Sequence, residues 1–225
     1  IAEDAITVDR FRPTYWNVGT SMPTMTFQEL STDPITSAEA LLAALLNWGD
    51  DNWSRTALDQ RATQEGWDDG MRAKADRSAA EFFVECDRIE HGIKLLQSTD
   101  LLRKAFCGMN RAMSFSSQGK YDSWRPFQLG FLLANLASIL DTSKEPEIVD
   151  VVWFATGGGK TETYLGLLIT AAIYDRLVGK TTGDTAWSRF PLRMLSLQQT
   201  QRFADALAGA EIVRREWKIP GAPFS

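Results

Sequence analysis

Apolar side chains recur at helical spacing in the first half of the chain. Phe82, Cys86, Ile89, Ile93 and Leu96 follow one another at steps of 4, 3, 4 and 3, which predicts one apolar stripe along an α-helix. We interpret the stripe as core packing rather than as a cofactor surface or a coiled-coil seam, because roughly two to three heptads are too few to argue for more.

Two further helices are predicted in this half of the chain. Residues 38–48 are rich in Ala and Leu, and Ser37 stands where a capping residue would start the helix. Residues 101–113 are predicted to form the next helix, which folds back on the striped one.

A linker is predicted at residues 118–120, Gln-Gly-Lys, where the pattern of the chain changes. We therefore divide the chain into a mainly helical N-terminal region, residues 1–120, and a second region, residues 121–225.

The second region is predicted to alternate strand and helix. Residues 148–155 form a near-continuous β-branched and aromatic run, which is typical of a strand buried on both faces of a parallel sheet. An apolar helix follows over residues 164–173, and residues 184–190 are predicted as a second strand. The expected fold class for this region is α/β.

A Gly-rich turn joins the first predicted strand to the helix, which is the arrangement that a phosphate-binding loop requires. The turn has six consecutive residues: Thr156, Gly157, Gly158, Gly159, Lys160 and Thr161. Glycines let successive backbone N–H groups converge on phosphate oxygens, and the helix N-terminus adds partial positive charge. We predict ATP and Mg²⁺ as cofactors, with Lys160 at the β- and γ-phosphates and Thr161 as a Mg²⁺ ligand, both catalytic. Glu162 is expected to support the site rather than to act as a base.

The net charge and the cysteine content limit which classes of function are compatible with the sequence. The net charge of -5 argues against a domain that coats nucleic acid by bulk attraction, so any such contact must be local. Cys86, Cys107 and the single histidine, His91, lie at no metal-binding spacing, which favours free thiols in a reducing compartment. The chain has neither a membrane-length apolar run nor a signal-peptide pattern. We expect a cytoplasmic excerpt from a larger protein, with no membrane partner.

Residues 124–128 have the sequence Trp-Arg-Pro-Phe-Gln, which resembles the Arg-Pro-aromatic-Gln signature of superfamily 2 helicases, in which the glutamine recognises adenine. The amide of Gln128 has the donor and the acceptor that match adenine N6 and N7. Trp124 or Tyr121 offers a face on which the base can stack, and we include Trp124, Arg125 and Gln128 in the predicted nucleotide site. The alternative is that Gln128 is a solvated helix residue and Trp124 a core aromatic.

A second match to the same helicases is their motif Ia, Pro-Thr-Arg-x-Leu-x-x-Gln. Pro191, Arg193, Leu195 and Gln198 match this element, whereas Leu192 stands in place of the threonine. The resemblance implies that the element holds a nucleic-acid backbone, and Arg193 suits phosphate contact without sequence recognition. The alternative is an ordinary helix start with a surface arginine.

Three local segments of the sequence narrow the resemblance to one group of superfamily 2 helicases. Residues 124–133, 153–166 and 189–202 resemble the large helicases of bacterial anti-phage defence, of the DISARM type first and of the Druantia type second. The resemblance implies the first part of a RecA-like P-loop domain in residues 121–225 and an ATP-dependent helicase or translocase in the intact protein. It also implies as partners a nucleic acid, DNA in preference to RNA, the remainder of a helicase chain and a defence-system subunit.

The catalytic carboxylates of these motors do not follow the phosphate loop. No Asp-Glu pair occurs after Lys160, so we expect the 225 residues alone not to hydrolyse ATP. Two other functions stay open: a non-helicase P-loop ATPase, which motif Ia argues against, and a nucleotide-gated protein-interaction module.

Overall fold

The computed structural model describes residues 23–140, 149–152, 159–180, 183–189 and 193–224. Within these ranges the chain forms nine α-helices. They are α1 Phe27–Leu30, α2 Pro34–Trp53, α3 Arg55–Glu65, α4 Asp69–Ser98, α5 Asp100–Ser116, α6 Pro126–Ala134, α7 Ala137–Leu140, α8 Lys160–Leu177 and α9 Arg193–Glu216. None of these helices combines the length and the apolar character needed to cross a membrane.

The predicted α/β fold with a RecA-like parallel sheet is wrong for the described part of the chain, which is helical and contains no strand. Its β-type pairing is a single antiparallel bridge between Thr26 and Ser123. Of the two predicted strands, residues 149–152 and 184–189 are described, and both are irregular. The other residues of those strands, including 153–155, lie outside the described ranges.

Exposure of the predicted strand residues explains the error. Val149 and Val151 are 83% and 76% exposed, and Trp187 is 90% exposed. The β-strand propensity of a residue reflects how well its side chain packs on a pleated, half-buried surface next to other strands. These residues have no neighbouring strand in the described ranges, so their β-branched and aromatic character does not produce a sheet.

Helix α2 contains the predicted helix over residues 38–48 but begins earlier. Asp33 is the N-cap, and its carboxylate accepts two N–H groups of the first turn at 3.2 and 3.3 Å. Pro34 follows at the first helical position, where its missing N–H costs nothing. The prediction that Ser37 caps this helix is wrong, because Ser37 lies inside the helix and is buried.

The apolar stripe lies on α4, as predicted. Cys86, Ile89, Ile93 and Leu96 are buried and Phe82 is half-buried. The interpretation of the stripe as core packing is confirmed, since Ile89, Ile93 and Leu96 belong to the main hydrophobic core.

Helix α5, which contains the predicted helix over residues 101–113, lies at the centre of that core. Ala105, Phe106, Met109 and Ala112 have no exposed surface. The helix packs most extensively against α9 and α8, and it also contacts α1 and α4. Helices from both sides of residue 120 therefore share one hydrophobic core.

Two glycines let helices touch backbone to backbone. A Cβ on Gly92 of α4 would lie 2.0 Å from the carbonyl oxygen of Leu133, in α6. A Cβ on Gly209 of α9 would lie 2.4 Å from the carbonyl oxygen of Ala112, in α5. Both distances are shorter than van der Waals contact, so any larger residue would push the helices apart.

The Gly92 contact gives a prediction about stability. Replacing Gly92 with Ala is expected to lower the free energy of unfolding by about 1–3 kcal/mol or more, because the clash is with backbone that cannot rotate away. The measurement is urea unfolding of the 225-residue chain. Gly70→Ala is the matched control on α4: Gly70 is exposed, and its new Cβ would meet only a side-chain oxygen of Asp68, at 3.2 Å. The control should be neutral or stabilising by about 0.5–1 kcal/mol, and equal midpoints for the two variants would contradict the packing argument.

Candidate functional site

The predicted phosphate loop is described only from its last glycine onward. Thr156, Gly157 and Gly158 lie outside the described residues. Gly159 is the N-cap of α8 and has a φ of 91°, a left-handed conformation that glycine adopts without strain. Lys160 is the first residue of α8, which thus begins four residues before the predicted helix over residues 164–173.

The first turn of α8 is buried among other helices. Thr161, Glu162 and Thr163 are 9%, 8% and 0% exposed. The N–H groups of a first helical turn have no partner within their own helix, and together with the helix dipole they suit an anion. No cluster of three or more His, Cys, Asp or Glu that could hold a metal occurs among the described residues, and the roles of Lys160 and Thr161 stay predictions.

Gln128 joins the start of α6 to the start of α8. Its Oε1 accepts the N–H of Arg125 at 2.8 Å, and its Nε2 donates to the carbonyl oxygen of Gly159 at 2.7 Å. The side chain is only 4% exposed, so Gln128 is not a solvated helix residue. The structure thus brings Gln128 of the predicted adenine motif into contact with Gly159, the last glycine of the predicted phosphate loop, and both ends of the amide have a protein partner.

Trp124 lies in the hydrophobic core. Its indole N–H donates to Oδ1 of Asn110 at 2.7 Å, and its ring meets Phe27 edge to face with 5.1 Å between centroids. It is 3% exposed, so no ring face is open to a base in this arrangement. Tyr121, the alternative stacking residue, is 36% exposed and lies edge to face with Phe27 at 5.9 Å. Stacking of adenine on either ring stays a prediction.

Glu162 forms an ion pair that the sequence did not indicate. Its Oε1 pairs with the guanidinium of Arg202, in α9. Its Oε2 is buried and has no hydrogen-bond partner among the described residues. A Cβ on Gly159 would lie 3.5 Å from that oxygen, so Oε2 faces the end of the predicted phosphate loop.

A second polar contact joins the same two helices. The hydroxyl of Tyr164 donates to Oε1 of Gln199 at 3.0 Å, and the rings of Tyr164 and Phe203 stack with 6.1 Å between centroids. Sequence reasoning missed Gln199 and Arg202. The sequence did contain a signal for both residues. Ala206, Ala210 and Val213 are buried on one face of α9 at helical spacing. The same spacing, continued toward the N-terminus of the helix, places Gln199 and Arg202 on that face.

The predicted motif Ia lies at the start of α9. Pro191 lies outside the described residues, and only the backbone of Arg193 and Leu195 is described, in the first turn of the helix. Gln198 is exposed, whereas its neighbour Gln199 is buried against α8. The roles of Pro191, Arg193, Leu195 and Gln198 in nucleic-acid binding stay predictions.

No protein-family model matches the chain. The chain is similar to the "DISARM protein DrmA" of Bacillus paralicheniformis (strain ATCC 9945a / NCIMB 11709 / CD-2), with 43% identity over 101 residues. The match covers 41% of this chain and 9% of the relative, so the chain spans only a small part of that protein's length. The resemblance to DISARM proteins that the sequence predicts is confirmed by this match.

The Gln128 bridge gives a prediction about stability. Gln128→Ala is expected to lower the free energy of unfolding by about 1–3 kcal/mol, because it removes both hydrogen bonds and leaves the Gly159 carbonyl without this partner. Urea unfolding measures the change. Gln64→Ala, at an exposed position on α3, is the control and should stay within about 0.5 kcal/mol of the unchanged chain. If both variants unfold at the same urea concentration, the bridge contributes nothing to stability.

Proposed function

We propose that this chain is the ATP-binding portion of a DNA helicase or translocase of a bacterial anti-phage defence system. The observation that carries the proposal is the 43% identity to the DISARM protein DrmA over 101 residues. Hydrolysis belongs to the longer protein, since the carboxylate pair of such motors does not follow Lys160 in this sequence. A defence-system subunit and the rest of the helicase chain are the proposed protein partners.

The nucleotide phosphates bind at the N-terminus of α8. The glycines of the run 157–159 carry no side chain that would keep phosphate oxygens away from backbone N–H groups, and the positive end of the helix dipole adds to the attraction. Lys160, as the first residue of α8, supplies a positive charge. Support comes from Gly159, whose left-handed φ and close contact with Gln128 leave no room for a side chain.

The donor set of this turn also fits Mg²⁺. The Thr161 hydroxyl is a hard oxygen ligand on the first turn, which is the kind of ligand that Mg²⁺ prefers. When bound there with the nucleotide, the ion would partly neutralise the negative charge of the phosphate groups. The chain's own contribution is to hold Lys160 and Thr161 on one rigid helical turn.

The adenine base lies near the start of α6, where Trp124, Arg125 and Gln128 are. Support comes from the hydrogen bond between Gln128 and Gly159, the last glycine of the proposed phosphate loop. The amide keeps both protein partners, and its second N–H and second oxygen lone pair are the groups that would meet adenine.

A DNA backbone binds at the start of α9. Pro191, Arg193, Leu195 and Gln198 form the proposed contact, in which Arg193 and backbone N–H groups meet phosphates without distinguishing base sequence. The exposure of Gln198 on the first turns of α9 agrees with this role. Placed contacts of this kind suit a chain whose net charge is -5.

A nucleotide-gated protein-interaction module is the second candidate. It is favoured by Val149 and Val151, two apolar side chains that are 83% and 76% exposed and line the same cavity. Exposed apolar surface of this kind suits contact with another protein. Nucleotide binding without any affinity for DNA would favour this candidate over the helicase.

Lys160→Ala tests the nucleotide site. The substitution is expected to weaken binding of a Mg²⁺-loaded fluorescent ATP analogue about ten- to hundredfold, because it removes a charge-assisted hydrogen bond to phosphate. Binding is measured on the 225-residue chain, so the result does not depend on turnover. Lys74→Ala, at an exposed position on α4, is the control and should bind like the unchanged chain. Unchanged affinity in Lys160→Ala would overturn the phosphate-loop assignment.

Arg193→Ala tests the nucleic-acid site. The substitution is expected to weaken DNA binding about equally for different sequences and to reduce the salt dependence of the affinity by roughly one phosphate contact. Fluorescence anisotropy with two unrelated DNA duplexes at several salt concentrations measures both effects. Arg215→Ala is the control on the same helix, because Arg215 is exposed near its opposite end. A sequence-selective effect, or none, would mean that the start of α9 is not a backbone contact.

A further inference from the structure

We propose that the ion pair between Glu162 and Arg202 is the link through which nucleotide and DNA change each other's affinity. The inference rests on the proposed function and adds to it two positioning residues, one on each of the helices that carry the two sites. Neither residue needs to touch the ligand of the other site. Glu162 stands on the first turn of α8, and Arg202 stands on α9, the helix that begins with the proposed DNA contact.

The negative charge of Glu162 lies in a buried position, where it is unfavourable unless a cation is close to it. The side chain of Glu162 is 10% exposed, and its Oε2, which has no hydrogen-bond partner within the described ranges, faces Gly159. A buried carboxylate beside bound phosphates would repel them, because charges in a poorly solvated site interact strongly. The guanidinium of Arg202 neutralises this carboxylate from the α9 side. Nucleotide affinity therefore depends on where α9 holds Arg202.

Arg202 moves with the proposed DNA contact because one helix carries both. Arg193 and Arg202 belong to the uninterrupted helix α9, about 14 Å apart at 1.5 Å of rise per residue. The hydrogen bond from Tyr164 to Gln199 and the stacking of Tyr164 on Phe203 hold the same stretch of α9 against α8. DNA bound at the start of α9 would thereby add a further restraint on the position of Arg202 relative to Glu162.

The two ligands should then favour each other. DNA bound at α9 holds the guanidinium in place and so lowers the repulsion that a nucleotide meets at α8. By thermodynamic linkage the nucleotide must tighten DNA binding by the same factor. Coupled sites commonly differ in affinity by about fivefold or more between the two liganded states.

The test measures this factor on the 225-residue chain. The affinity for a Mg²⁺-loaded, non-hydrolysable fluorescent ATP analogue is determined with and without a saturating short DNA duplex. We compare the unchanged chain with Arg202→Gln, with the double variant Glu162→Gln/Arg202→Gln, and with Arg215→Gln. Arg215 lies near the C-terminal end of the same helix, is largely exposed and pairs with Glu211 of that helix, so this variant is the control.

DNA should tighten nucleotide binding by about fivefold or more in the unchanged chain and in Arg215→Gln. Arg202→Gln should bind nucleotide about tenfold more weakly and should show no effect of DNA, because the carboxylate is left uncompensated. The double variant has no uncompensated charge. It should therefore fold and bind nucleotide more tightly than Arg202→Gln, yet still show no effect of DNA.

A full DNA effect in the double variant would overturn the inference. The inference would also be overturned if the unchanged chain bound nucleotide and DNA without any effect of one on the affinity for the other. In that case the proposed function would stand. If the unchanged chain binds neither ligand, the proposed function itself fails and the inference fails with it. If the ion pair has only a structural role, the variants that lack it would have a lower melting temperature but keep the DNA effect. That result would also contradict the inference.

Discussion

The burial of α5 is the constraint on which the arrangement of the other helices depends. Phe106 and Met109 have no exposed surface, and α1, α4, α8 and α9 all pack against this helix. Burying large apolar side chains is the main favourable contribution to folding, so helices from both halves of the chain must close around α5. The candidate site lies at the edge of this core, where α8 and α9 begin.

Part of this architecture follows from the sequence alone. The stripe from Phe82 to Leu96 predicts the buried face of α4, because the spacing of apolar residues on a helix depends only on local geometry. Residues 149–152, the described part of the run over residues 148–155, fail as a guide for the opposite reason. A strand needs a partner, and nothing in the run itself specifies whether a partner strand is present. The cap of α2 was misplaced at Ser37 because several polar residues before a helix can serve, and Asp33 does so here.

The site was also predictable only in part. The motifs led to Gln128 and Gly159, which the structure joins by a hydrogen bond. Arg202 and Gln199 were missed because their importance comes from α8, a different helix, and not from any local pattern. A polar residue on the buried face of a helix becomes informative once the facing helix is known, since it must find a partner there.

In the proposed nucleotide site, the amide of Gln128 has a consequence for how purine bases are distinguished. The amide gives one of its two N–H groups to the carbonyl oxygen of Gly159 and one of its two oxygen lone pairs to the N–H of Arg125, and these two bonds fix its plane. A base with the donor and the acceptor of adenine can meet the second N–H and the second lone pair, whereas guanine presents two acceptors and leaves the lone pair without a partner. Discrimination at such a position comes from the penalty on the mismatched purine and not from stronger binding of the matched one.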